Sequence, residues 1–299
     1  MSASPQSSVC GGFVGGEKLF QKRARVALPL LVRQAKARQP IFYSDLAKEM
    51  GMPNERNLDY VLGAIGDEMR NLSNAWKIEI PPIQCVVINK THMMPGEGIG
   101  WFVEDRAAFL KSSREYKRRV VDRMLDRVYE FSRWDAVLKY FQLNPAPSLR
   151  NLATQDEMTK AASFGGGGES QAHKELKQFI ARNPSLFGLS NSAGHGVIEH
   201  EFLSSDTIDV LFKTPSLIVG VEVKPSGCAD SEIIRGMFQC IKYRALIEAT
   251  CKVEQVRPDV RVILALGGSF PTDLQQMKNV LGIELVQRVQ IEKKAAAGA

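Results

Sequence analysis

Cysteine is scarce and scattered in this chain. Its five residues, Cys10, Cys85, Cys228, Cys240 and Cys251, form no C-x-x-C pair. That spacing argues against a zinc site and a disulfide framework, and it fits a reducing, cytoplasmic setting. Long apolar runs are missing too. No stretch of about 18 apolar residues occurs, so neither a transmembrane helix nor a membrane partner is expected. The opening MSASPQSSVCGGFVGG lacks a basic region followed by an apolar core. Residues 1–16 therefore read as a disordered leader, not a secretory signal. The four histidines are dispersed. His195 and His200, which flank a Gly-rich turn and a strand, read as structural or surface residues. A P-loop is also absent: GGGGES carries no Lys-Ser/Thr, and no strand precedes it.

What is present is ordinary for a globular protein. The chain has 299 residues, 44% hydrophobic and 24% charged, which allows two domains. A net charge of +6 permits a polyanionic partner. The clearest boundary is SFGGGGES, Ser163 to Ser170, whose four glycines hold neither helix nor strand. Residues 144–170, with Pro145 and Pro147, read as a linker between domains at 17–143 and 171–291, followed by a tail at 292–299.

The N-terminal part predicts three helices, then a strand, a loop and a strand. EKLFQKRARVALPLLVRQAKARQ places Leu19, Phe20, Val26, Leu28, Leu31 and Val32 on an apolar face. Ser44 and Asp45 can cap a second helix, and Gly51 can end it. The third carries Leu58, Val61, Leu62, Ile65 and Met69 on one stripe. IQCVVINK and GIGWFV then read as strands. This order resembles a winged helix by architecture alone. It implies a mainly α domain that lays its third helix in a DNA major groove, or one that binds a partner or dimerises. Arg56, Arg70 and Lys90 are the candidate DNA contacts. Further on, REYKRRVVDRMLDRVYEFSRW interleaves Lys117, Arg118 and Arg119 with acids around an apolar stripe. The mixed signs suit a solvated helix with i,i+4 pairs, while the basic cluster suits phosphate.

The most informative segment lies between residues 207 and 224. TIDVLF and LIVGVEVK are β-branched and aromatic runs separated by a Pro-containing turn, the pattern of adjacent strands. Asp209 sits in the first. Glu222 and Lys224 sit two apart near the end of the second, so both face one side of the sheet. Two acids and a lysine on neighbouring strands suit a divalent-metal phosphodiesterase. Carboxylates hold Mg²⁺, the metal acts on phosphate and water, and the lysine steadies developing charge. Such residues also make a solvated rim with a cross-strand ion pair. Their embedding in apolar runs favours the functional reading, because buried carboxylates need compensation.

The order helix, Ile-Asp-Val strand, Val-Glu-Val-Lys strand, helix resembles the PD-(D/E)XK, or restriction-endonuclease-like, nuclease superfamily over roughly residues 169 to 290. Ile208 stands where the family usually has Pro. The resemblance implies an α/β domain with an αββαβ core, a mixed sheet flanked by helices. It implies Asp209, Glu222, Lys224 and Gln239 as catalytic residues, Gln239 by its place on the following helix. It implies Mg²⁺, with Mn²⁺ as a substitute, held by Asp209, Glu222, the Val223 carbonyl and an acid on the opening helix. The family's Glu on that helix aligns with His173; Glu175, two residues on, is taken as the ligand, with His173 and Glu169 as alternatives. Arg235, Lys242 and Arg244 on the following helix are candidate phosphate contacts. The implied activity is DNA cleavage by a homodimer, with an N-terminal DNA-binding or sensing domain and a protein partner or activator. Restriction, phage defence and repair fit this layout. Inactive relatives exist, so a non-catalytic binding protein on the same scaffold is the other expectation.

Overall fold

The computed structural model describes residues 16, 18–103, 105–149 and 170–291. The leader at 1–15, the four-glycine run, Glu169 and the tail at 292–299 lie outside the described residues. The chain divides into two compact units, Met1–Ser148 and Leu149–Ala299.

The first unit contains helices α1 (Leu19–Ala37), α2 (Tyr43–Glu49), α3 (Leu58–Trp76), α4 (Arg106–Lys111), α5 (Arg114–Glu130) and α6 (Trp134–Tyr140). Its only described strands are two-residue pieces, β1 (Ile41–Phe42) and β2 (Val87–Ile88), paired in parallel. Leu58, Val61, Leu62, Ile65 and Met69 of α3 are all buried, as their spacing predicts. On α1 the buried stripe takes Ala24, Leu28, Leu31 and Val32, while Leu19 and Val26 are exposed. Ser44 and Asp45 lie inside the first turn of α2, whose N-cap is Phe42. Gly51, at φ +69°, follows the C-cap Met50 and takes the left-handed conformation that suits glycine.

Of the strand–loop–strand expected after α3, only β2 (Val87–Ile88) forms within IQCVVINK, and it pairs in parallel with β1 instead of with a following strand. Ile83–Val86 is a 3₁₀ turn, and so is Glu97–Phe102. No hairpin wing exists among the described residues. Ile83, Gln84, Cys85 and Val86 are all buried, and a short buried run fits a turn as well as a strand. Pro81 and Pro82 restrict the backbone just ahead of it.

The second unit is a mixed five-stranded sheet with helices on both faces. Its elements are α7 (Gln171–Arg182), β3 (Val197–Glu201), β4 (Thr207–Lys213), β5 (Leu217–Lys224), α8 (Asp230–Val253), β6 (Asp259–Leu266), α9 (Gln275–Val280) and β7 (Glu284–Val286). The strand order is β3-β4-β5-β6-β7. Pairs β3–β4 and β4–β5 are antiparallel; β5–β6 and β6–β7 are parallel. Leu176 and Ile180 of α7 cluster with Val210, Val219, Val221, Val223 and Ile263 on one face. Met237, Cys240 and Ile247 of α8 cluster with Ile208, Ile218, Val262 and Leu264 on the other. Central strand β5, covered on both sides, is a near-continuous apolar run in which Glu222 and Lys224 are the charged exceptions.

Candidate active site

The β4–β5 ladder runs from Lys213↔Ile218 to Val210↔Val221. One step further would set Asp209 opposite Glu222. There the Val223 N–H donates to the Asp209 carboxylate, Oδ2, at 2.8 Å. A side chain has taken a backbone position in the ladder, and β5 is free on this edge while still paired to β6 through Lys224↔Leu266. The other neighbour of β4 is irregular at the same level. Ile198↔Val210 and His200↔Ile208 keep one register, but between them Glu199 has φ +54°. Ile208 and Val210 consequently pack on opposite faces of the sheet. A non-glycine residue in this conformation stores backbone strain, on the order of 1 kcal/mol or more.

These breaks open a cleft of about 650 Å³ lined by His173, Lys177, Glu199, Asp209, Glu222 and Lys224, with Arg235, Gln239 and Tyr243 at its α8 side. Ser170 caps α7, its Oγ accepting the His173 N–H at 3.2 Å. The helix thereby brings His173 and, one turn on, Lys177 to the cleft. His173 Nε2 stands 3.4 Å from Asp209 Oδ2. Lys177 Nζ donates to Glu199 at 2.7 Å and lies 3.8 Å from Asp209 Oδ1. On the other side Lys224 Nζ donates to Glu222 at 2.7 Å and to the Gln239 carbonyl oxygen at 3.3 Å. The Gln239 amide reaches the Tyr243 hydroxyl at 3.4 Å, and that hydroxyl donates to the Thr207 carbonyl at 2.7 Å. A continuous chain of bonds thus ties Lys224 to α8 and to the start of β4.

The structure brings together Asp209, Glu222, Val223, Lys224 and Gln239. It does not bring Glu175 to the cleft. Glu175 is exposed and accepts a hydrogen bond from Gln171 at 2.8 Å. At 3.6 residues per turn it points about 200° around α7 from His173, away from Asp209. His173 is the opening-helix residue at Asp209. Lys177 and Glu199 were not foreseen. Lys177 left a trace in the sequence: it follows Leu176 and precedes Ile180 and Ala181 within a buried stripe, where an unpaired lysine is costly. Glu199 left none, since β3 is an exposed strand and the kink is a backbone property.

The predicted phosphate contacts are dispersed. Arg235 lines the cleft, 4.0 Å from Glu232. Lys242 pairs with Asp206, and Arg244 donates to the Gly282 carbonyl at 3.2 Å. In the first unit Arg56 is exposed in the turn before α3. Arg70 lies 3.5 Å from Asp67, and Lys90 sits 5.1 Å over the Phe42 ring. On α5, Lys117 donates to the Leu110 carbonyl at 2.8 Å, Arg118 pairs with Asp122 at 3.4 Å, and Arg119 is exposed. Local pairing of this kind is what the mixed charge pattern of α5 predicts.

Electrostatics set the two acids apart. Burial, then the Asp209 charge, pushes the Glu222 carboxyl up to about 7 despite Lys224. Burial works against the Lys224 ammonium, but Glu222, Asp209 and Glu232 outweigh it and hold the group above its ordinary value. Lys224 therefore stays charged while Glu222 ionises reluctantly. Because folding raises the Glu222 value, its contribution favours the fold at low pH and is lost as pH climbs from about 5 to about 7. Glu222→Gln removes this component. Wild type should lose on the order of 1–3 kcal/mol more than the variant between pH 5 and pH 8, read from calorimetry or amide exchange in β5. Equal slopes in both proteins would show that Glu222 ionises freely.

Gly236 is the approach point of α8. A Cβ there would fall 3.1 Å from Lys224 Cε and 2.9 Å from Leu264 Cδ1. In Gly236→Ala, better helix propensity, about 1 kcal/mol, offsets this crowding, so stability should stay close to wild type while Lys224 shifts. Any activity of the cleft should then fall severalfold with no functional group removed. An unchanged rate would mean that the lysine position is not critical.

Among the described residues no group of three or more His, Cys, Asp or Glu side chains is set to hold a metal ion. The available donors are Asp209, Glu222 and the Val223 carbonyl, which faces the same opened edge of β5 as its N–H. Two carboxylates and a carbonyl are hard oxygen donors, and Mg²⁺ commonly takes one or two carboxylates and completes its shell with water and phosphate. Among the described residues no helix is long and apolar enough to cross a membrane. Comparison with protein-family models, with curated proteins and with solved structures gives no match.

Proposed function

We propose that the second unit is a Mg²⁺-dependent phosphodiesterase that cleaves DNA, built on a PD-(D/E)XK-like core. The carrying observation is the meeting of Asp209, Glu222 and Lys224 where β4 and β5 part. A buried acid held near 7 beside a second carboxylate is a site that a divalent cation would relieve. Asp209, Glu222 and the Val223 carbonyl are the residues to hold Mg²⁺ or Mn²⁺. Bound there, the cation supplies charge to the phosphate and acidity to water.

The chain's own groups supply the rest. Lys224 keeps its proton and presents Nζ beside Glu222, oriented by Gln239, where it steadies the charge that builds on the phosphate oxygens. Arg235 stands at the cleft wall to meet the DNA backbone. Lys177 restrains Glu199 and flanks Asp209. The first unit serves DNA binding or sensing in this reading, in a protein acting in restriction, phage defence or repair. Two-strand cutting would call for a homodimer.

The test is cleavage of plasmid and of linear single- and double-stranded DNA with Mg²⁺, Mn²⁺ or EDTA. Cutting that needs the metal supports the reading; no cutting of any form under any condition overturns it as it stands. One observation favours a second reading, a non-catalytic scaffold that binds nucleic acid or a partner. Both cleft lysines are already paired with carboxylates, as in a structural ion network. DNA binding that is indifferent to EDTA, without cleavage, would select it.

A further inference from the structure

The first unit holds a cleft of its own, about 730 Å³, between α3 and the residues Pro95, Gly96, Gly98, Ile99, Phe102 and Arg106. At its wall lies Gln84, 7% exposed, and neither its amide nitrogen nor its amide oxygen has a hydrogen-bond partner among the described residues. Buried amides are rarely left so, because both a donor and an acceptor have lost water without replacement. The Phe102 ring stands beside this amide. A Cβ at Gly66 would lie 2.5 Å from both Gln84 Nε2 and Phe102 Cζ, so only glycine lets the two meet against α3. The Arg70 guanidinium lies 5.3 Å from the centre of the same ring. Leu62 and Ile99 add apolar wall. Among the described residues the charged lining side chains are Asp59, Asp67, Arg70 and Arg106, whose charges cancel, so these residues do not select an anion.

We propose that this cleft binds a nucleobase, read at its edge by the Gln84 amide and held by its face against Phe102 and Arg70. An adjacent donor and acceptor is what a primary amide satisfies in one plane, and the N6/N7 edge of adenine is the base edge it pairs with bidentately. Flat apolar walls and a guanidinium stack suit a neutral heterocycle. The Gln84 amide atoms are closed off from water, so binding as proposed requires the neighbouring Phe102 ring to swing aside and then lie against the base. The proposal is independent of the chemistry assigned to the second unit.

The test uses the full chain and named probes. Adenosine, guanosine, cytidine and thymidine are titrated by calorimetry. Separately, a DNA duplex carrying 2-aminopurine next to an adenine is followed by fluorescence, which rises when the adenine leaves the stack. Saturable binding of a nucleoside identifies a free ligand; binding of the duplex with a fluorescence rise identifies a base presented by nucleic acid. Either supports the proposal if Gln84→Leu weakens it about tenfold or more, Phe102→Leu weakens it too, and the Gln84→Leu melting temperature is unchanged or higher. The melting condition matters because leucine removes unpartnered polar atoms from a buried position. No binding by any probe, binding indifferent to Gln84→Leu, or a Gln84→Leu protein that melts several degrees lower would overturn it.

Discussion

Lys224→Ala should lower metal-dependent DNA cleavage by about 10²–10³-fold or more while leaving the fold intact. Lys224 is 8% exposed and its ammonium is fixed by two bonds, to Glu222 at 2.7 Å and to Gln239 at 3.3 Å, so it is positioned before any substrate arrives. Its removal also takes away the group that holds the Glu222 proton affinity down. Glu222 should ionise still less readily at neutral pH, and Mg²⁺ affinity should fall with it. The partner variant is best made as Asp209→Asn. Asp209→Ala would strip the Val223 N–H of its acceptor and loosen the point where β4 leaves β5. Asparagine keeps an acceptor oxygen there and removes only the charge. The expected result is a Asp209→Asn protein that melts near wild type and neither cuts DNA nor gains thermal stability from Mg²⁺. Wild-type rates in both variants would remove the cleft from the chemistry, even if the protein cleaves DNA elsewhere.

How far the site was legible depends on where each residue's role is encoded. The Glu222 and Lys224 positions follow from strand periodicity, since a side chain two residues on shares a face. Asp209 is legible as a strand residue only, because alternation breaks there and Ile208 and Val210 pack on opposite faces. The α/β character follows from the same runs together with the amphipathic α7, while the mixed strand directions are implied by the family resemblance alone. Glu175 misleads because an acid near the start of a helix looks equivalent to its neighbours until the helical phase is fixed. Burial of Leu176, Lys177 and Ile180 fixes that phase and turns His173 and Lys177, not Glu175, toward Asp209. Glu199 is illegible because its place depends on a positive φ opposite Asp209, a tertiary property of the sheet. The wing fails for another reason. IQCVVINK has strand-like composition, but a short apolar run does not distinguish a strand from a buried turn, and the segment divides into a 3₁₀ turn at Ile83–Val86 and a two-residue strand at Val87–Ile88.

The largest stability effect should come from the first unit. Arg33 of α1 and Glu49 of α2 form a two-pronged pair, NH1 to Oε1 at 2.5 Å and NH2 to Oε2 at 2.8 Å. Each side chain is only 3% exposed. Glu49→Ala leaves the guanidinium buried with Gln34 as its nearby neutral acceptor. The expected loss is about 3–5 kcal/mol, more than any exposed pair of this protein should give. Lys36–Asp135, with side chains 48% and 65% exposed, is the contrast, and its disruption should cost under about 1 kcal/mol. Replacing both partners, Arg33→Met with Glu49→Leu, should recover most of the Glu49→Ala loss, because the cost lies in the stranded charge and not in the missing bond. All three tryptophans, Trp76, Trp101 and Trp134, fall in the first unit, so fluorescence during urea unfolding of the full chain follows this unit alone. A Glu49→Ala midpoint close to wild type would mean that water reaches Arg33 once its partner is gone.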